Sequence, residues 1–472
     1  MSVENHLQNL RHLLGDQGVL SAPEDLSAYE GGARGDRGKA AFALRPADTD
    51  AVSKAAAYCA RHSIALIPQS GNTGLVGASV PDESGTQAVM SLERMRDIFD
   101  IDAANRSAHI GAGVRLSALN AALEEHGLFF PVDLSADPCI GGMVSTNTGG
   151  SRLMRYGGVR ENTLGLKVVL ADEDGTVLDV LCPLHKNNTG LDLKHIFIGT
   201  GGTFGIVTEA VVKLAPLPRQ SATALLVPSR DEDVVFLLGE IEAYCGALLS
   251  AFEGMSGEAM RRALAHAPSL SNPFGQDDIP DYALLIELSR SWEPRESEQS
   301  LDSILELMLE DLWGRDHSPL ADAVLVPPDK LWALRHALSE GVQKSGKLYA
   351  FDISFKRGDA MRFRAQMLED LPRLYPDVAI CDFGHIGDGG MHFNLVIPKN
   401  DPRGNDPDFE EDLRDWVYAR VVEDFNGSFS AEHGLGRKNQ RYFERYTSEE
   451  IKALSRGIRD LMVTGRIGAW KL

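Results

Sequence analysis

Residues 140–150 have the sequence IGGMVSTNTGG, in which two pairs of glycines flank a run rich in hydroxyl and amide side chains. Two further glycine-rich stretches lie in the first half of the chain, PQSGNTGLVG at residues 68–77 and IGTGGTFGI at residues 198–206. Glycine lets backbone N–H groups turn inward to form an anion-binding nest, and Ser, Thr and Asn add further donors. One such stretch alone is more often an ordinary turn. We expect all three stretches to be loops, and three such loops in one domain predict a site that wraps a long ligand carrying a pyrophosphate.

These stretches differ from the common nucleotide and hydrolase motifs. None matches GxGxxG followed by a helix and an acidic residue, and none matches GxxxxGK[ST]. GxSxG is also absent from the sequence. The sequence therefore argues against a Rossmann nicotinamide site, a P-loop nucleotide hydrolase and the commonest type of serine hydrolase.

The composition is that of an acidic globular protein. The chain has 472 residues, with 47 Lys and Arg against 68 Asp and Glu, which gives a net charge of −21. This length predicts two or three domains, and the 43% hydrophobic content is enough for a buried core. Nucleic acid and anionic membranes are not expected as partners, because both need a basic face. A small anionic ligand must therefore be held by local positive charge.

The cysteine content and the hydropathy of the sequence indicate the cellular compartment of the protein. The five cysteines are scattered, and no CxxC pair is present, which argues against a disulfide framework, a thiolate zinc site and an iron–sulfur cluster. The N-terminal sequence lacks the apolar core of a signal peptide, and no run approaches the roughly 18 apolar residues that span a bilayer. We expect a cytoplasmic protein without a membrane span.

The hydrophobic pattern divides the chain near residues 215–218, where two prolines end regular structure. Before that point the sequence predicts helices at 51–62 and 116–126 and strands at 64–67, 87–91, 108–111, 166–171, 176–181 and 206–214. Beyond it, predicted strands at 282–288, 348–355, 378–383 and 391–397 alternate with helices at 302–313, 328–345, 359–369 and 409–425. The fold class expected for the second half is α+β.

Two short motifs in the second half combine histidines with a carboxylate. HIGDGGMHFN at residues 385–394 places a glycine-rich turn between two histidines, and SAEHGLG follows at 430–436. Two imidazoles and one carboxylate suit an open Zn²⁺ site with one position left for water or substrate. In extended chain, Glu432 and His433 would point opposite ways, one towards the metal and the other towards the substrate. The alternative is that these are satisfied polar residues in a turn and a surface pair; Asp388 is a weaker ligand candidate because Asp often caps its own turn.

Together these motifs resemble the vanillyl-alcohol oxidase-type, or PCMH-type, FAD enzymes. The stretches at 68–77, 140–150, 186–193 and 198–206 resemble their flavin-binding domain. HxGDGxxH at 385–392 and SxEHGxG at 430–436 resemble the C-terminal domain of FAD-linked D-2-hydroxyacid dehydrogenases, nearest the D-2-hydroxyglutarate and FAD-dependent D-lactate dehydrogenase branches. The resemblance extends from about residue 40 to the end of the chain.

The resemblance implies an α+β fold in three parts. It implies a PCMH-type FAD-binding domain of two α+β subdomains at 1–218, a ferredoxin-like α+β substrate or cap domain at 219–425, and a segment at 426–472 that returns to the flavin. The covalent-flavin members attach FAD through His or Cys, and the first glycine stretch contains neither, so we expect non-covalent FAD. Cys139, beside the second stretch, is expected to be a small packed residue.

The family's functional residues fall on specific positions of this chain. The resemblance implies that FAD is bound by Pro68, Gln69, Ser70, Gly71, Asn72, Thr73, Gly74, Leu75, Asp137, Gly141, Gly142, Ser145, Thr146, Asn147, Gly149, Gly202 and Ile206. It implies a divalent metal, best matched by Zn²⁺, on His385, His392 and Glu432. His433 is the implied catalytic base, Arg335 the arginine for the substrate carboxylate, and Ser339 a hydroxyl four residues further on; the alternative for Arg335 is an ordinary surface charge of a helix.

The implied reaction is oxidation of a D-2-hydroxy acid to the 2-oxo acid, with hydride transfer to FAD. The hydroxyglutarate branch tends to carry a Lys where this chain has Ala350, so the sequence leaves open D-2-hydroxyglutarate, D-lactate and D-malate, with Lys347 and Lys356 as alternative cations. A second departure is Gly201, where the family often has Glu.

The sequence leaves other features of the function open. The acceptor is expected to be external, an electron-transfer flavoprotein, a quinone or a cytochrome, and a homodimer is common for such enzymes. Alternatives are an oxidase that uses O₂ and a redox-neutral flavin transferase of the alkylglycerone-phosphate synthase type, although those transferases carry a histidine run where SAEH stands here.

Overall fold

The structure is a computed structural model that describes residues 2–276 and 278–472, which form two compact units. The first unit comprises the chain up to Gly149, together with Gly157–Leu217 and Glu432–Leu472. The second comprises Gly150–Tyr156 and Pro218–Ala431. The predicted three-part division and the ferredoxin-like topology stay predictions; Met1, in the first predicted domain, and Asp277, in the second, lie outside the described residues.

The first unit contains a four-stranded sheet and a five-stranded sheet. The four-stranded sheet has the order β1-β2-β4-β3, with β2, β4 and β3 parallel; the strands are β1 (Val19–Leu20), β2 (Ala40–Leu44), β3 (Leu66–Gln69) and β4 (Gln87–Ser91). The antiparallel five-stranded sheet has the order β5-β6-β10-β8-β9. Its strands, and the short pair β7 and β11, are β5 (Phe99–Asp102), β6 (Ser107–Gly111), β7 (Leu128–Phe129), β8 (Thr163–Val169), β9 (Val177–Val180), β10 (Ile206–Lys213) and β11 (Ala215–Pro216).

Helices pack against these sheets through apolar faces made of small side chains. The helix Thr49–Arg61 begins where the Asp48 carboxylate accepts the Ala51 N–H, and it buries Val52, Ala55 and Cys59 against the core. The other helices of this unit are Val3–Leu14, Pro23–Glu30, Leu116–Glu124, Ile140–Thr146, Val159–Asn162, Gln440–Tyr446 and Glu449–Asp460.

The second unit is built on one eight-stranded sheet with the order β15-β12-β14-β13-β18-β19-β16, and β17 beside β19. Its strands are β12 (Gln220–Pro228), β13 (Leu249–Ser256), β14 (Tyr282–Arg290), β15 (Leu320–Leu325), β16 (Lys347–Ser354), β17 (Ala379–Ile380), β18 (Phe383–Gly384) and β19 (Gly390–Ile397). Its helices are Leu153–Tyr156, Asp233–Cys245, Gly257–His266, Leu301–Trp313, Pro328–Ser345, Arg357–Leu374 and Pro407–Ala419, the last continued by a π-helical turn at Arg420–Asp424.

The fold confirms the predicted mixture of helices and strands. The hairpin around residues 172–175 is present as β8 and β9, and the predicted helix at 328–345 has the observed bounds Pro328–Ser345. The second glycine stretch differs from the predicted loop, because Ile140–Thr146 is a short helix whose residues Ile140, Met143 and Val144 are buried. Within the described residues, no helix is long and apolar enough to cross a membrane.

Candidate active site

The three glycine stretches meet in the first unit. The Ser70 hydroxyl donates to the Ala112 carbonyl at 3.0 Å, and the Gly141 N–H donates to the same oxygen at 3.0 Å. From the third stretch, the Gly199 N–H donates to the Val144 carbonyl at 3.2 Å, and the Gly201 N–H to Ser145 at 2.8 Å. The structure thus joins the three segments predicted to bind FAD into one backbone cradle.

Glycine is required in this cradle by close approach. A Cβ on Gly71 would lie 2.8 Å from the Cys139 amide nitrogen, and one on Gly141 would lie 2.5 Å from the Ala112 Cβ. Gly202 has a φ of +78°, and a Cβ there would lie 3.2 Å from Pro68. These positions fit a site where backbone, rather than side chains, approaches a long anionic cofactor.

Several side chains predicted to contact FAD are engaged within the protein. The Gln69 amide is buried and donates to the Tyr29 and Ser79 carbonyls, and the Asn72 amide donates to Gly31 at 2.6 Å. The Asp137 carboxylate accepts the N–H and hydroxyl of Ser117, in the first turn of the helix Leu116–Glu124. These bonds leave the backbone of the segments for the cofactor, and the FAD contacts of their side chains stay a prediction.

Other members of the predicted set are fixed by helix and strand packing. The Ser145 and Thr146 hydroxyls donate to the Gly141 and Gly142 carbonyls, one turn earlier in the same helix. Ile206 is buried at the start of β10 and belongs to the hydrophobic core of the unit.

Cys139 confirms the expectation of a packed residue. Its side chain is buried, and burial, the largest effect, raises the pKa of its thiol.

The C-terminal segment that begins at Glu432 also packs on this cradle. A Cβ on Gly434 would lie 3.5 Å from the Thr146 carbonyl oxygen, and one on Gly436 would lie 2.3 Å from that of Val76. The Asn439 side chain closes the turn, since its amide donates to Gly434 and its oxygen accepts the Gly436 N–H. Glu432 and His433 therefore directly precede a turn that is fixed against the glycine stretches.

In the second unit, Arg335 is buried beside a predicted metal ligand. Only 5% of Arg335 is exposed, so the alternative of a surface helix charge does not hold. Its Nε donates to Glu253 Oε2 at 2.8 Å, and its guanidinium lies 5.0 Å above the Phe383 ring. The other oxygen of Glu253, Oε1, lies 2.8 Å from His385 Nδ1. One carboxylate thus contacts both groups.

The electrostatics of this group keep Glu253 ionised. Burial of the side chain raises the pKa of Glu253, but the charges and hydrogen bonds of His385 and Arg335 outweigh it and lower that pKa to about 2. At neutral pH the carboxylate accepts from both neighbours. His385 therefore carries a proton on Nδ1, and its Nε2 is the nitrogen that a metal would use.

Strand pairing places the second predicted histidine nearby. The rings of His385 and His392 lie 5.3 Å apart, and the register of β16 and β19 pairs His392 with Asp352. The turn between the histidines is closed by Asp388, whose carboxylate accepts the Gly390 N–H at 2.8 Å. This bond confirms the expectation that Asp388 caps its own turn.

Two pairs of side chains could each contribute to holding a metal ion: Asp352 and His392 in the second unit, and Glu432 and His433 in the first, with the ligand atoms of each pair within 4.8 Å of one another. The chain bends at residues 431–433 and is not extended, so the expectation that Glu432 and His433 point opposite ways is wrong. At the residue before Glu432, the Ala431 N–H donates to the Asp352 carboxylate at 3.1 Å. The donor set of imidazoles and carboxylates fits a divalent metal.

Two residues of this site were missed by the sequence analysis. Glu253 lies on β13, which was not predicted, and Asp352 lies on the predicted strand that became β16. The signal for both was a single acidic residue inside an apolar strand sequence, LSAFEGM and YAFDI. Ser339 is exposed one turn after Arg335, and its catalytic role stays a prediction.

Comparison with known proteins identifies the family. The sequence matches the FAD binding domain family over residues 40–181 and the family of FAD linked oxidases, C-terminal domain, over residues 217–462. It is 34% identical to a mitochondrial D-2-hydroxyglutarate dehydrogenase of Danio rerio, covering 90% of this chain and 77% of that protein. It is 32% identical to a putative mitochondrial D-lactate dehydrogenase of Schizosaccharomyces pombe, covering 97% of this chain and 88% of that protein.

The chain therefore belongs to the FAD-linked oxidase family, in the group that includes these dehydrogenases, and it is an oxidoreductase with an FAD-binding domain. Solved structures support the fold at lower identity. A 4-ethylphenol oxidase from Gulosibacter chungangensis aligns with a TM-score of 0.74 at 17% identity, over 99% of this chain and 97% of that one. A p-cresol methylhydroxylase aligns with a TM-score of 0.72 at 15% identity, over 97% and 94%. The predicted PCMH-type fold is thereby confirmed.

Proposed function

We propose that this protein is an FAD-dependent dehydrogenase that oxidises a D-2-hydroxy acid to the 2-oxo acid. The observation that carries the proposal is the buried Arg335 beside His385, with Glu253 between them. A guanidinium suits a carboxylate, and imidazoles suit a metal or a proton transfer at the neighbouring hydroxyl. The names of the relatives agree with this substrate class.

The residues present fit both proposed cofactors. The glycine cradle is the proposed non-covalent FAD site, and His385, His392 and Glu432 are the proposed metal ligands, with Asp352 close to His392 and His433 close to Glu432. When bound, FAD supplies the hydride acceptor and a divalent metal, proposed to be Zn²⁺, supplies a Lewis acid.

Side chains of the protein are proposed to bind the substrate and to transfer its proton. Arg335 binds the C1 carboxylate of the substrate with its planar fork, and Ser339 is the proposed second donor to that carboxylate. His433, in its neutral form, is the proposed general base, which takes the proton of the 2-hydroxyl on a ring nitrogen.

The proposal also specifies which side chain the substrate carries. Ala350 pairs with Asn394 across β16 and β19, two residues from Asp352 and therefore on the same strand face. Lys347 contacts the Tyr349 ring at 5.8 Å, on the alternate face, and Lys356 is exposed before the helix Arg357–Leu374. Because none of these supplies a cation at position 350, we propose a monocarboxylate such as D-lactate over D-2-hydroxyglutarate.

The electrons are proposed to leave through an external acceptor, an electron-transfer flavoprotein, a quinone or a cytochrome, in a cytoplasmic enzyme. The test is anaerobic mixing of the yellow holoenzyme with D-lactate, D-malate and D-2-hydroxyglutarate, while the flavin absorbance is followed. Bleaching by a D-acid but not by its L-enantiomer supports the proposal. A flavin that no D-2-hydroxy acid bleaches contradicts it and leaves the transferase alternative, and rapid reoxidation by air identifies an oxidase.

A further inference from the structure

Glu253 is the one carboxylate in the described part of the second unit that contacts both Arg335 and His385. It lies on β13, and β13 pairs with β18, which ends at Gly384 directly before His385. The helix Pro328–Ser345 supplies Arg335 from a different part of the chain. Three elements that are distant in sequence therefore meet at this single side chain, which is only 1% exposed.

The two oxygens of Glu253 serve different partners. Oε2 accepts from the guanidinium of Arg335, with Nε at 2.8 Å and the terminal nitrogen Nη2 at 2.6 Å. Oε1 lies 2.8 Å from His385 Nδ1. A carboxylate paired with an arginine only accepts hydrogen bonds, so the imidazole must donate from Nδ1 and present Nε2 on its far side. In metal sites, such carboxylate–histidine contacts fix the tautomer and the orientation of the ligand ring.

We propose that Glu253 is a positioning residue of the oxidation site, which orients Arg335 for the substrate carboxylate and His385 for the metal at the same time. This inference rests on the proposed function, since it assumes that Arg335 binds substrate and that His385 binds metal. Nothing in it requires Glu253 to touch the substrate. Its effect is exerted through the two residues that it holds.

The same sheet contains a matched control. Glu287 on β14 is also buried, at 3% exposure, and it pairs with Arg152 with Nε at 3.2 Å. Its other partners are the Ser250 hydroxyl and Trp332 Nε1. Glu253 and Glu287 therefore share burial and an arginine partner, but only Glu253 contacts a proposed metal ligand. Loss of stability should affect both variants, whereas loss of metal binding should affect one.

The test compares E253Q, E253D and E287Q purified with FAD bound. The measurements are zinc affinity, by chelator competition, and KM and kcat for the best D-2-hydroxy acid. We expect E253Q to bind zinc 10–100-fold more weakly and to raise KM, because both neighbours lose their anchor. E253D keeps the charge and should recover part of both losses. E287Q should unfold at lower temperature than the wild type while it keeps the wild-type zinc affinity.

The outcomes separate this inference from the proposed function. If E253Q and E253D keep the wild-type zinc affinity and KM, Glu253 does not position these residues and the inference is overturned. The same holds if E287Q weakens zinc binding as much as E253Q, since the effect would then be general destabilisation. If the wild-type protein itself binds no zinc and no D-2-hydroxy acid reduces its flavin, the proposed function has failed before the role of Glu253 is tested. If E253Q does not fold, E253D and the E287Q control still decide the matter.

Discussion

In the proposed function, the side chain at position 350 sets the charge that the distal part of the substrate meets. Ala350 lies on the edge strand β16, paired with Asn394, and its carbonyl accepts from Arg414 at 3.2 Å. Arg414 also lies 5.4 Å above the ring of Phe351, whose side chain points to the strand face opposite that of Ala350. The guanidinium of Arg414 is therefore directed at the edge of β16 and at the strand face opposite the side chain of Ala350.

Introducing a lysine at this position should change the substrate preference. In A350K, the ammonium can reach a distal carboxylate, so the ratio of kcat/KM for D-2-hydroxyglutarate over D-lactate should rise about tenfold or more. Steady-state rates with an artificial acceptor measure this ratio. A350M adds similar length without charge and should leave the ratio near the wild-type value. An equal rise in both variants would mean that shape, not charge, governs the preference.

In the proposed function, His433 is the residue on which the proton transfer depends. In H433Q, FAD should remain bound, because the glycine cradle is unchanged, but anaerobic flavin reduction should slow by about 10²–10⁴-fold. Stopped-flow absorbance measures that rate. H195Q alters a histidine of the same unit that lies outside the site, and it should reduce at the wild-type rate. Normal reduction in H433Q would assign the base to another group.

At the scale of elements, the glycine cradle depends on how closely its segments approach. G71A places a Cβ 2.8 Å from the Cys139 amide nitrogen, so the first stretch must move away from the second. The cost should be about 1–3 kcal/mol of folding free energy, and FAD should bind more weakly. Thermal unfolding of the apoprotein and FAD titration measure the two effects.

Gly74 provides the control within the same stretch. A Cβ there has no atom within 4 Å, so G74A should leave the unfolding temperature of the apoprotein unchanged. Equal destabilisation by G71A and G74A would show that flexibility of the stretch, rather than close packing, is what its glycines provide.

Local sequence patterns predicted the helices and hairpins that are determined by residues close together in the sequence. The helix Pro328–Ser345 and the hairpin of β8 and β9 follow from periodicity and turn residues, which act over a few neighbours. The strand β13 was missed, and Glu253 with it, because its register with β18 is set by tertiary pairing. The helix Ile140–Thr146 was expected to be a loop, since its two glycines disfavour helix and only packing of Ile140 and Met143 compensates.

For the candidate site, the sequence predicted the positions of motif residues but not the contacts between them. The resemblance supplied the positions of Arg335 and of the histidines, because motifs preserve residue types. Which carboxylate contacts Arg335 depends on the packing of a helix and a strand that are more than 80 residues apart in sequence, as the separation of Arg335 from Glu253 shows. No local pattern contains that information.

At the scale of the whole molecule, the net charge of −21 coexists with carboxylates that are held ionised in the interior. In the first unit, burial raises the pKa of Glu209, but hydrogen bonds from Thr49, Lys167 and His109 outweigh it and lower that pKa. In the second unit, burial raises the pKa of Glu287, but Arg152, Ser250 and Trp332 outweigh it and lower that pKa. Both units therefore contain carboxylates whose protonation opposes folding.

Acid should destabilise the protein through these groups, and Glu253 provides the clearest case. Its pKa is lowered from 4.5 to about 2 in the folded state, so its contribution to stability is complete above about pH 4.5 and is lost as the pH falls through 2. The loss should be on the order of 3 kcal/mol, measured by urea unfolding between pH 7 and pH 2. E253Q has no carboxyl to titrate, so its stability should fall less steeply with acid, whereas E24Q, which alters an exposed residue of the helix Pro23–Glu30, should follow the wild type. Parallel curves for E253Q and the wild type would show that the acid sensitivity resides in the other carboxylates, Glu209 and Glu287 first among them.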